Sequence, residues 1–208
     1  MLVERADGGG VRARGEHPQR HQPVGAPGRH ARARGVLWGT TADTPHDVRS
    51  VTKTVTSLIV GIAIDSGCLA SVDQPIGPLL GDQAPSDPAK AAITLCDLLT
   101  MSSGLQWKED GAVGDYDPWA AADNQVDFVL ARPLVAAPGT VFNYDSGALH
   151  LLSAIVTRAC GPTKDFAAQH LFAPLGIESR DWELDNQGIA SGAAGLQVST
   201  SELWRSAS

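Results

Sequence analysis

The chain has 208 residues, of which 43% are hydrophobic and 19% charged, a composition typical of a soluble globular protein and not of a disordered one. This length is enough for one domain with a sizeable core, or for a fragment of a larger domain. The net charge of −7 argues against nucleic acid or an anionic membrane as a partner.

The N-terminal segment, residues 1–35, differs in composition from the rest. Seven Arg outweigh three acidic residues among residues 1–34, and Gly, Pro and His are frequent without apolar periodicity. An arginine-rich arm for nucleic acid is one interpretation, but no aromatic residue is interleaved for stacking on bases. We therefore predict a disordered basic segment, whose residue bias is also that of GC-rich DNA translated out of frame. It lacks the apolar core of a signal peptide, so the chain as written is expected to stay in the cytoplasm.

Residues 36–208 are predicted to form one folded domain made mostly of helices. Apolar residues recur with helical spacing from 51 to 63, and Gly67 ends that helix. Thr94 is the predicted N-cap of a short helix, and Ser146 is the candidate N-cap of a long one. The other predicted segments are a loop at 71–91, an acidic loop at 109–127, a helix from 126 that stops before Pro133, and a helix and turn at 163–177.

Few stretches show the alternating pattern of a strand. The three cysteines match no zinc or CxxC spacing, and we predict them to be buried free thiols.

Ser50 and Lys53 stand at positions i and i+3 at the start of the first predicted helix, so their side chains share a face. The positive end of the helix dipole favours an alkoxide at Ser50 and disfavours an ammonium beside it. A lysine that has lost its proton can then activate the serine as a nucleophile. The alternative is an N-cap serine beside a surface lysine. Lys53 falls near the apolar stripe and Asp47 could cap the helix instead, and both observations favour catalysis.

Tyr144 lies in "NYDSG" at 143–147, just before the long helix. A phenol fixed at the mouth of a cleft, close to a lysine cation, can act as a general base. The alternative is a turn aromatic that packs on the helix that follows it.

Together these motifs resemble the serine β-lactamase and penicillin-recognising hydrolase family, nearest to its class C branch with the related esterases, D-amino-acid peptidases and 6-aminohexanoate-dimer hydrolases. The resemblance covers about residues 44–205. The matching segments, in order, are "SVTK" (50–53), "LLTMSSGLQW" (98–107), "PGTVFNYDSGALHLLSAIV" (138–156), "LFAPLGI" (171–177) and "GAAGLQVSTSELWR" (192–205). The resemblance implies an α+β fold of the β-lactamase/transpeptidase type, of which this chain holds mostly the helical part with the antiparallel sheet incomplete.

The resemblance also implies roles for individual residues. Ser50 would be the acyl-accepting nucleophile, Lys53 would deprotonate it or tune its neighbours, and Tyr144 would pass the proton to the leaving group. Ser146 stands where the family often has Asn, and it could hydrogen-bond a substrate carbonyl or Lys53. The reaction would be acyl transfer from a small ester or amide to serine, followed by hydrolysis, without metal or cofactor.

Two further features have two interpretations each. Trp107 and Trp119 either line the pocket or pack in the core. The acidic loop either attracts an amine-bearing substrate or is simply solvated. The chain ends before the family's third motif, Lys-Thr-Gly or an equivalent, whose strand supplies one oxyanion-hole donor, so we expect impaired turnover. The competing functions are therefore a non-catalytic remnant that binds ligands and a small helical interaction protein.

Overall fold

The computed structural model describes residues 40–109, 114–178 and 181–202, all of which lie in the compact unit 36–208. The segment 1–35, predicted to be disordered, lies outside the described residues. The described residues form eight α-helices: α1 (Val51–Asp65), α2 (Ile76–Leu80), α3 (Pro88–Ala91), α4 (Leu95–Leu99), α5 (Tyr116–Ala120), α6 (Gln125–Leu130), α7 (Ser146–Cys160) and α8 (Thr163–Ala167). A short 3₁₀ turn, Gly81–Gln83, follows α2, and a π turn, Ala168–Phe172, continues α8.

Helix α7 is the centre of the core. Every residue from Ser146 to Val156 is buried, and α1, α2, α4 and α6 all pack against it. A helix that is apolar on all sides is typical of a buried core helix. No helix of the described residues has both the length and the apolar character needed to cross a bilayer.

Three short strands form an antiparallel sheet with β3 in the middle. The strands are β1 (Pro45–Asp47), β2 (Asp181–Trp182) and β3 (Leu196–Ser199). Pro45 lies opposite Ser199, and Trp182 lies opposite Leu196. Because β1 runs almost directly into α1, its pairing with β3 fixes where α1 begins. The prediction of a mostly helical α+β fold with a small antiparallel sheet is confirmed.

Five predicted helices are confirmed as α1, α4, α6, α7 and α8. At α4, the Thr94 hydroxyl accepts from the Asp97 N–H at 3.2 Å, and the Asp97 carboxylate accepts from the Thr94 N–H at 2.9 Å. This reciprocal capping box satisfies two backbone donors that a helix start otherwise leaves unpaired.

Two predicted loops and one predicted cap are wrong. The segment 71–91 contains α2 and α3, each of which begins at or just after a proline, where a missing N–H is tolerated. The acidic segment 109–127 contains α5. The N-cap of α7 is Asp145, whose carboxylate accepts from the Ala148 N–H at 2.9 Å, rather than Ser146.

The cysteines also differ from their prediction. Cys68, Cys96 and Cys160 are free thiols, as expected, but each is half-exposed rather than buried. Their side chains are therefore open to chemistry from solvent.

Gly104 occupies a turn that an alanine cannot enter. Its φ is +77°, and an added Cβ would lie 2.2 Å from the Ala136 carbonyl oxygen. We expect Gly104→Ala to lower the free energy of unfolding by about 3 kcal/mol, since it combines a left-handed backbone with an overlap that must be relieved. Urea unfolding checks this value.

The matched control for this substitution is Gly188→Ala. Gly188 has a φ of +79° but open space around an added Cβ. Only the backbone penalty of about 1–2 kcal/mol remains there. Equal losses at the two positions would show that the contact with Ala136 is unimportant.

Candidate active site

A tight turn between β1 and α1 presents Ser50 to solvent. Arg49 has a φ of +50°, a left-handed conformation that is strained for a residue with a Cβ. The Asp47 carboxylate holds this turn by accepting from the Arg49 N–H at 2.8 Å and from the Gly195 N–H at 3.2 Å. Ser50 stands at the N-cap position, yet its side chain makes no capping hydrogen bond. Its exposed hydroxyl is therefore available to other partners.

Two side chains converge on that hydroxyl. Lys53 Nζ donates to Ser50 Oγ at 3.2 Å, and the Tyr144 hydroxyl donates to the same oxygen at 2.9 Å. Lys53 Nζ also lies 5.0 Å from the centre of the Tyr144 ring. Lys53 is only 8% exposed, whereas Tyr144 is 38% exposed. The structure thus brings the three predicted catalytic residues together, with the lysine shielded and the serine open to solvent.

Lys53 is held in place by a backbone carbonyl from the far end of the chain. Lys53 Nζ donates to the Ala193 carbonyl at 3.0 Å, and Thr56 Oγ1 donates to the Gly192 carbonyl at 3.0 Å. An added Cβ at Gly192 would lie 2.1 Å from the Leu149 carbonyl oxygen, so the segment passes close to α7. Nothing in the sequence pointed to Ala193, because it acts through its backbone.

A buried histidine–aspartate pair supports the same segment. His150 Nε2 lies 3.0 Å from Asp185 Oδ2, and the Gly192 N–H donates to His150 Nδ1 at 3.4 Å. With Nδ1 accepting, the proton of the ring resides on Nε2 and points to Asp185. Burial raises the pKa of Asp185, but hydrogen bonds from His150 and the Ile189 N–H outweigh it, and the net pKa is lowered. The pairing of His150 with Asp185 could not be predicted from the sequence, because His150 stands within an apolar run.

The backbone before Tyr144 is fixed by Asn143. Its N–H donates to the Met101 carbonyl at 2.8 Å, and its side-chain amide donates to the Trp107 carbonyl at 2.8 Å. These two bonds tie the extended segment to the turn after α4, so Tyr144 reaches Ser50 from a fixed position.

Ser146 is buried, and its polar groups are bonded to Glu109. Its hydroxyl and its N–H both donate to the Glu109 carboxylate, the second at 3.1 Å. Trp107 Nε1 donates to the same carboxylate at 2.6 Å. Glu109 therefore holds Ser146 and Trp107 in place through one carboxylate. The sequence did not single it out, because it is one of several acidic residues in the predicted acidic loop. A contact between Ser146 and substrate stays a prediction.

Trp107 and Trp119 both pack in the core, which is one of the two interpretations that the sequence allowed. Trp107 is 5% exposed and Trp119 is 2% exposed, and their rings meet edge to face with centroids 6.0 Å apart. Trp119 also contacts the ring of His150 with centroids at 5.5 Å. Both side chains are therefore packed in the core, and a contact of either with substrate stays a prediction. In the same region, Asp115 forms an ion pair with Arg132 at 3.1 Å, so part of the acidic segment is neutralised.

Asp145, between Tyr144 and Ser146, is a buried carboxyl with one oxygen that has no hydrogen-bond partner. Burial raises the pKa of Asp145 to about 7. An unfolded aspartate has a pKa near 3.9, so between these values the native state holds a proton that the unfolded state has lost. The stability this proton provides is complete below about pH 4 and is lost as the pH rises to about 7.

We therefore expect Asp145→Asn to flatten the pH dependence of stability. Asparagine keeps the N-cap and carries no charge to bury. Over this interval the wild type should lose about 4 kcal/mol relative to the variant, at about 1.4 kcal/mol per pH unit. Urea unfolding of both proteins at pH 4 and pH 8 measures the difference. Parallel curves would show that Asp145 does not titrate with folding.

The arrangement at Ser50 provides a nucleophile and two groups that can exchange its proton. Within the ranges the structure describes, no group of three His, Cys, Asp or Glu side chains is placed to hold a metal ion.

Solved structures with the same fold include proteins described as a hydrolase and as a beta-lactamase. A protein described as a 6-aminohexanoate-dimer hydrolase from Bacillus anthracis matches with a TM-score of 0.69 at 17% identity, over 81% of this chain and 48% of the other. A beta-lactamase/D-alanine carboxypeptidase from Yersinia pestis matches with a TM-score of 0.62 at 22% identity, over 79% of this chain and 53% of the other. At these identities the likeness shows the fold, which is of the β-lactamase/transpeptidase type.

Relatives and a family model extend the comparison to sequence. A protein described as fimbrial assembly protein FimD, serogroup D, of Dichelobacter nodosus is 35% identical over 126 residues, which is 59% of this chain and 31% of that protein. The chain thus spans about a third of the length of this curated relative. The model of the beta-lactamase family matches residues 17–207. The chain belongs to the beta-lactamase family.

Proposed function

We propose that this protein is a serine hydrolase that forms an acyl-enzyme at Ser50 from a small ester or amide. The observation that carries the proposal is the exposed Ser50 hydroxyl with both Lys53 Nζ and the Tyr144 hydroxyl within hydrogen-bond distance, at 3.2 and 2.9 Å. Covalent catalysis requires a nucleophile that is hydrogen-bonded to a base, and that base is in turn oriented by a third group.

The steps follow from this geometry. Lys53 Nζ or the Tyr144 oxygen, whichever is deprotonated, takes the Ser50 proton as Oγ attacks the substrate carbonyl. Tyr144 is the more exposed of the two, so it is the better placed to return the proton to the leaving group. Water then enters the open face and hydrolyses the acyl-enzyme. The Ala193 carbonyl keeps Lys53 directed at Ser50 throughout.

The substrate class is proposed to be a linear ester or amide rather than a β-lactam. Ser146, where the family often has Asn, is turned to Glu109, so the site has one amide side chain fewer for a β-lactam carbonyl. Neighbours of the same fold described as a 6-aminohexanoate-dimer hydrolase and as EstCE1, a hydrolase with promiscuous acyltransferase activity, support this class.

The hydrogen bonds from Ser146 to Glu109 also favour a second candidate function, in which the protein binds such substrates without turnover. A fluorophosphonate probe separates the two, because it forms a covalent bond only with an activated serine. We expect labelling that maps to the peptide containing Ser50, together with turnover of p-nitrophenyl butyrate that exceeds turnover of nitrocefin. Absence of labelling and of turnover on both substrates would overturn the proposed hydrolase.

A further inference from the structure

We propose that Cys68 and Cys160 form a redox-sensitive dithiol, which closes to an intramolecular disulfide when the protein meets a peroxide. This inference is independent of the proposed hydrolase function, since the dithiol lies at the opposite end of the two helices that meet at Ser50.

Both cysteines line one cavity of about 270 Å³. Cys68 follows the end of α1, and Cys160 is the last residue of α7. The remaining residues that line the cavity come from the same two helix ends and from α8 with its π turn, and the titratable ones among them are Asp165 and His170. An oxidant of small size can therefore reach both sulfurs from one opening.

The two thiols interact with each other and are not equivalent. A hydrogen bond from the Cys160 thiol, with a second from Ser66 Oγ at 3.5 Å, lowers the pKa of Cys68. Burial, together with the hydrogen bond to Cys68, raises the pKa of Cys160 to about 12. Cys68 is thus the more readily deprotonated of the two thiols, and it is the one expected to react first with an oxidant.

Each cysteine has a glycine next to it in the chain. Gly67 precedes Cys68 and Gly161 follows Cys160, with φ of +81° and +93°, and an added Cβ at either glycine would meet nothing within 4 Å. Because glycine adopts many backbone conformations without steric penalty, the chain beside each sulfur can adjust as the disulfide forms.

The chemistry balances with a peroxide as oxidant. The Cys68 thiolate attacks one peroxide oxygen, the O–O bond breaks, and Cys68 becomes a sulfenic acid with release of hydroxide. The Cys160 sulfur then attacks the Cys68 sulfur, the S–O bond breaks, and the Cys160 proton leaves with that oxygen as water. Overall, two thiols lose two electrons and hydrogen peroxide becomes two molecules of water.

The disulfide would join the far ends of the helices that carry the candidate site. Ser50 begins α1 and Tyr144 precedes α7, and their side chains are in contact at 2.9 Å, so the two helices run in the same direction. Each has 15 residues, or about 22 Å of length. Closing a loop of roughly 90 residues restricts the unfolded chain, so we expect the oxidised protein to melt at least about 5 °C higher.

The test treats the full chain with a small molar excess of hydrogen peroxide and follows thiol titration, intact mass and melting. We expect the titrated thiols to fall from three to one, with loss of two hydrogen atoms, a linked Cys68–Cys160 peptide, and reversal by dithiothreitol. Cys96→Ser should retain the linked peptide and the melting shift. Cys160→Ser should lose both, while its Cys68 goes on to a sulfenic acid that dimedone traps.

Three results would overturn the dithiol. They are the persistence of all three thiols, oxidation of Cys68 to sulfinic acid in the wild type while Cys160 stays free, and disulfide-linked dimers in place of the internal link. If Cys160→Ser fails to fold, Cys68→Ser serves in its place. The linked peptide should be absent from that variant as well.

Discussion

Replacing Ser50 with alanine is expected to lower kcat on p-nitrophenyl butyrate by about 10⁴–10⁶-fold, to the level left by binding alone. The variant removes the oxygen that both Lys53 and Tyr144 contact. Because the Ser50 side chain makes no capping hydrogen bond and is exposed, the melting temperature should change little. Initial rates, fluorophosphonate labelling and thermal melts of the same preparation give the three values.

Ser57→Ala is the matched control. Ser57 lies on the same helix, and its hydroxyl donates only to the Thr54 carbonyl at 2.8 Å. Its rate and labelling should equal those of the wild type. Equal turnover in Ser50→Ala and the wild type would mean that another residue is the nucleophile.

Tyr144→Phe is expected to lower kcat by about 10²–10⁴-fold, the usual contribution of a positioned acid–base group. The change removes one hydroxyl from a side chain that is 38% exposed, so packing is kept. The loss should appear in kcat more than in KM, since the proton moves in the transition state. Steady-state kinetics, with the rate of fluorophosphonate labelling as an independent measure, tests this expectation.

The other tyrosine of the chain provides the control. Tyr116 packs edge to face on Trp119, with ring centroids 5.4 Å apart. Tyr116→Phe should keep the wild-type rate. If the two variants behaved alike, Tyr144 would be a packing residue of the turn, as the alternative in the sequence analysis holds.

Local patterns were sufficient for α1, α4, α6, α7 and α8 and for the shared face of Ser50 and Lys53, but not for the short helices α2, α3 and α5. The helical spacing of Ser50 and Lys53 predicts that they share a face, and the Thr94 cap follows from one residue type at one position. The N-cap of α7 was assigned one residue late, to Ser146, because Asp and Ser are equally good caps and only the fold decides between them.

Long-range pairing explains what the sequence did not show. The strands have only two to four residues, and β1, Pro45–Asp47, is exposed throughout, so no alternation could mark it. The buried face of α1 keeps Ile59 and Ala63 of the predicted apolar stripe, whereas Val51 and Leu58 of that stripe are exposed. Lys53 and Thr56 are buried as well, because they meet the backbone of Gly192 and Ala193, a contact that no local pattern records.

The separation of these partners along the chain has a consequence for folding. Ser50 and Tyr144 are 94 positions apart, and Lys53 is 140 positions from the Ala193 carbonyl that directs it. Contacts of such high order form late, after local helices such as α4, because the loops they close must first be ordered. Hydrolytic activity should therefore return only with the slowest phase of refolding, and its recovery would report the arrival of the last segment of the domain.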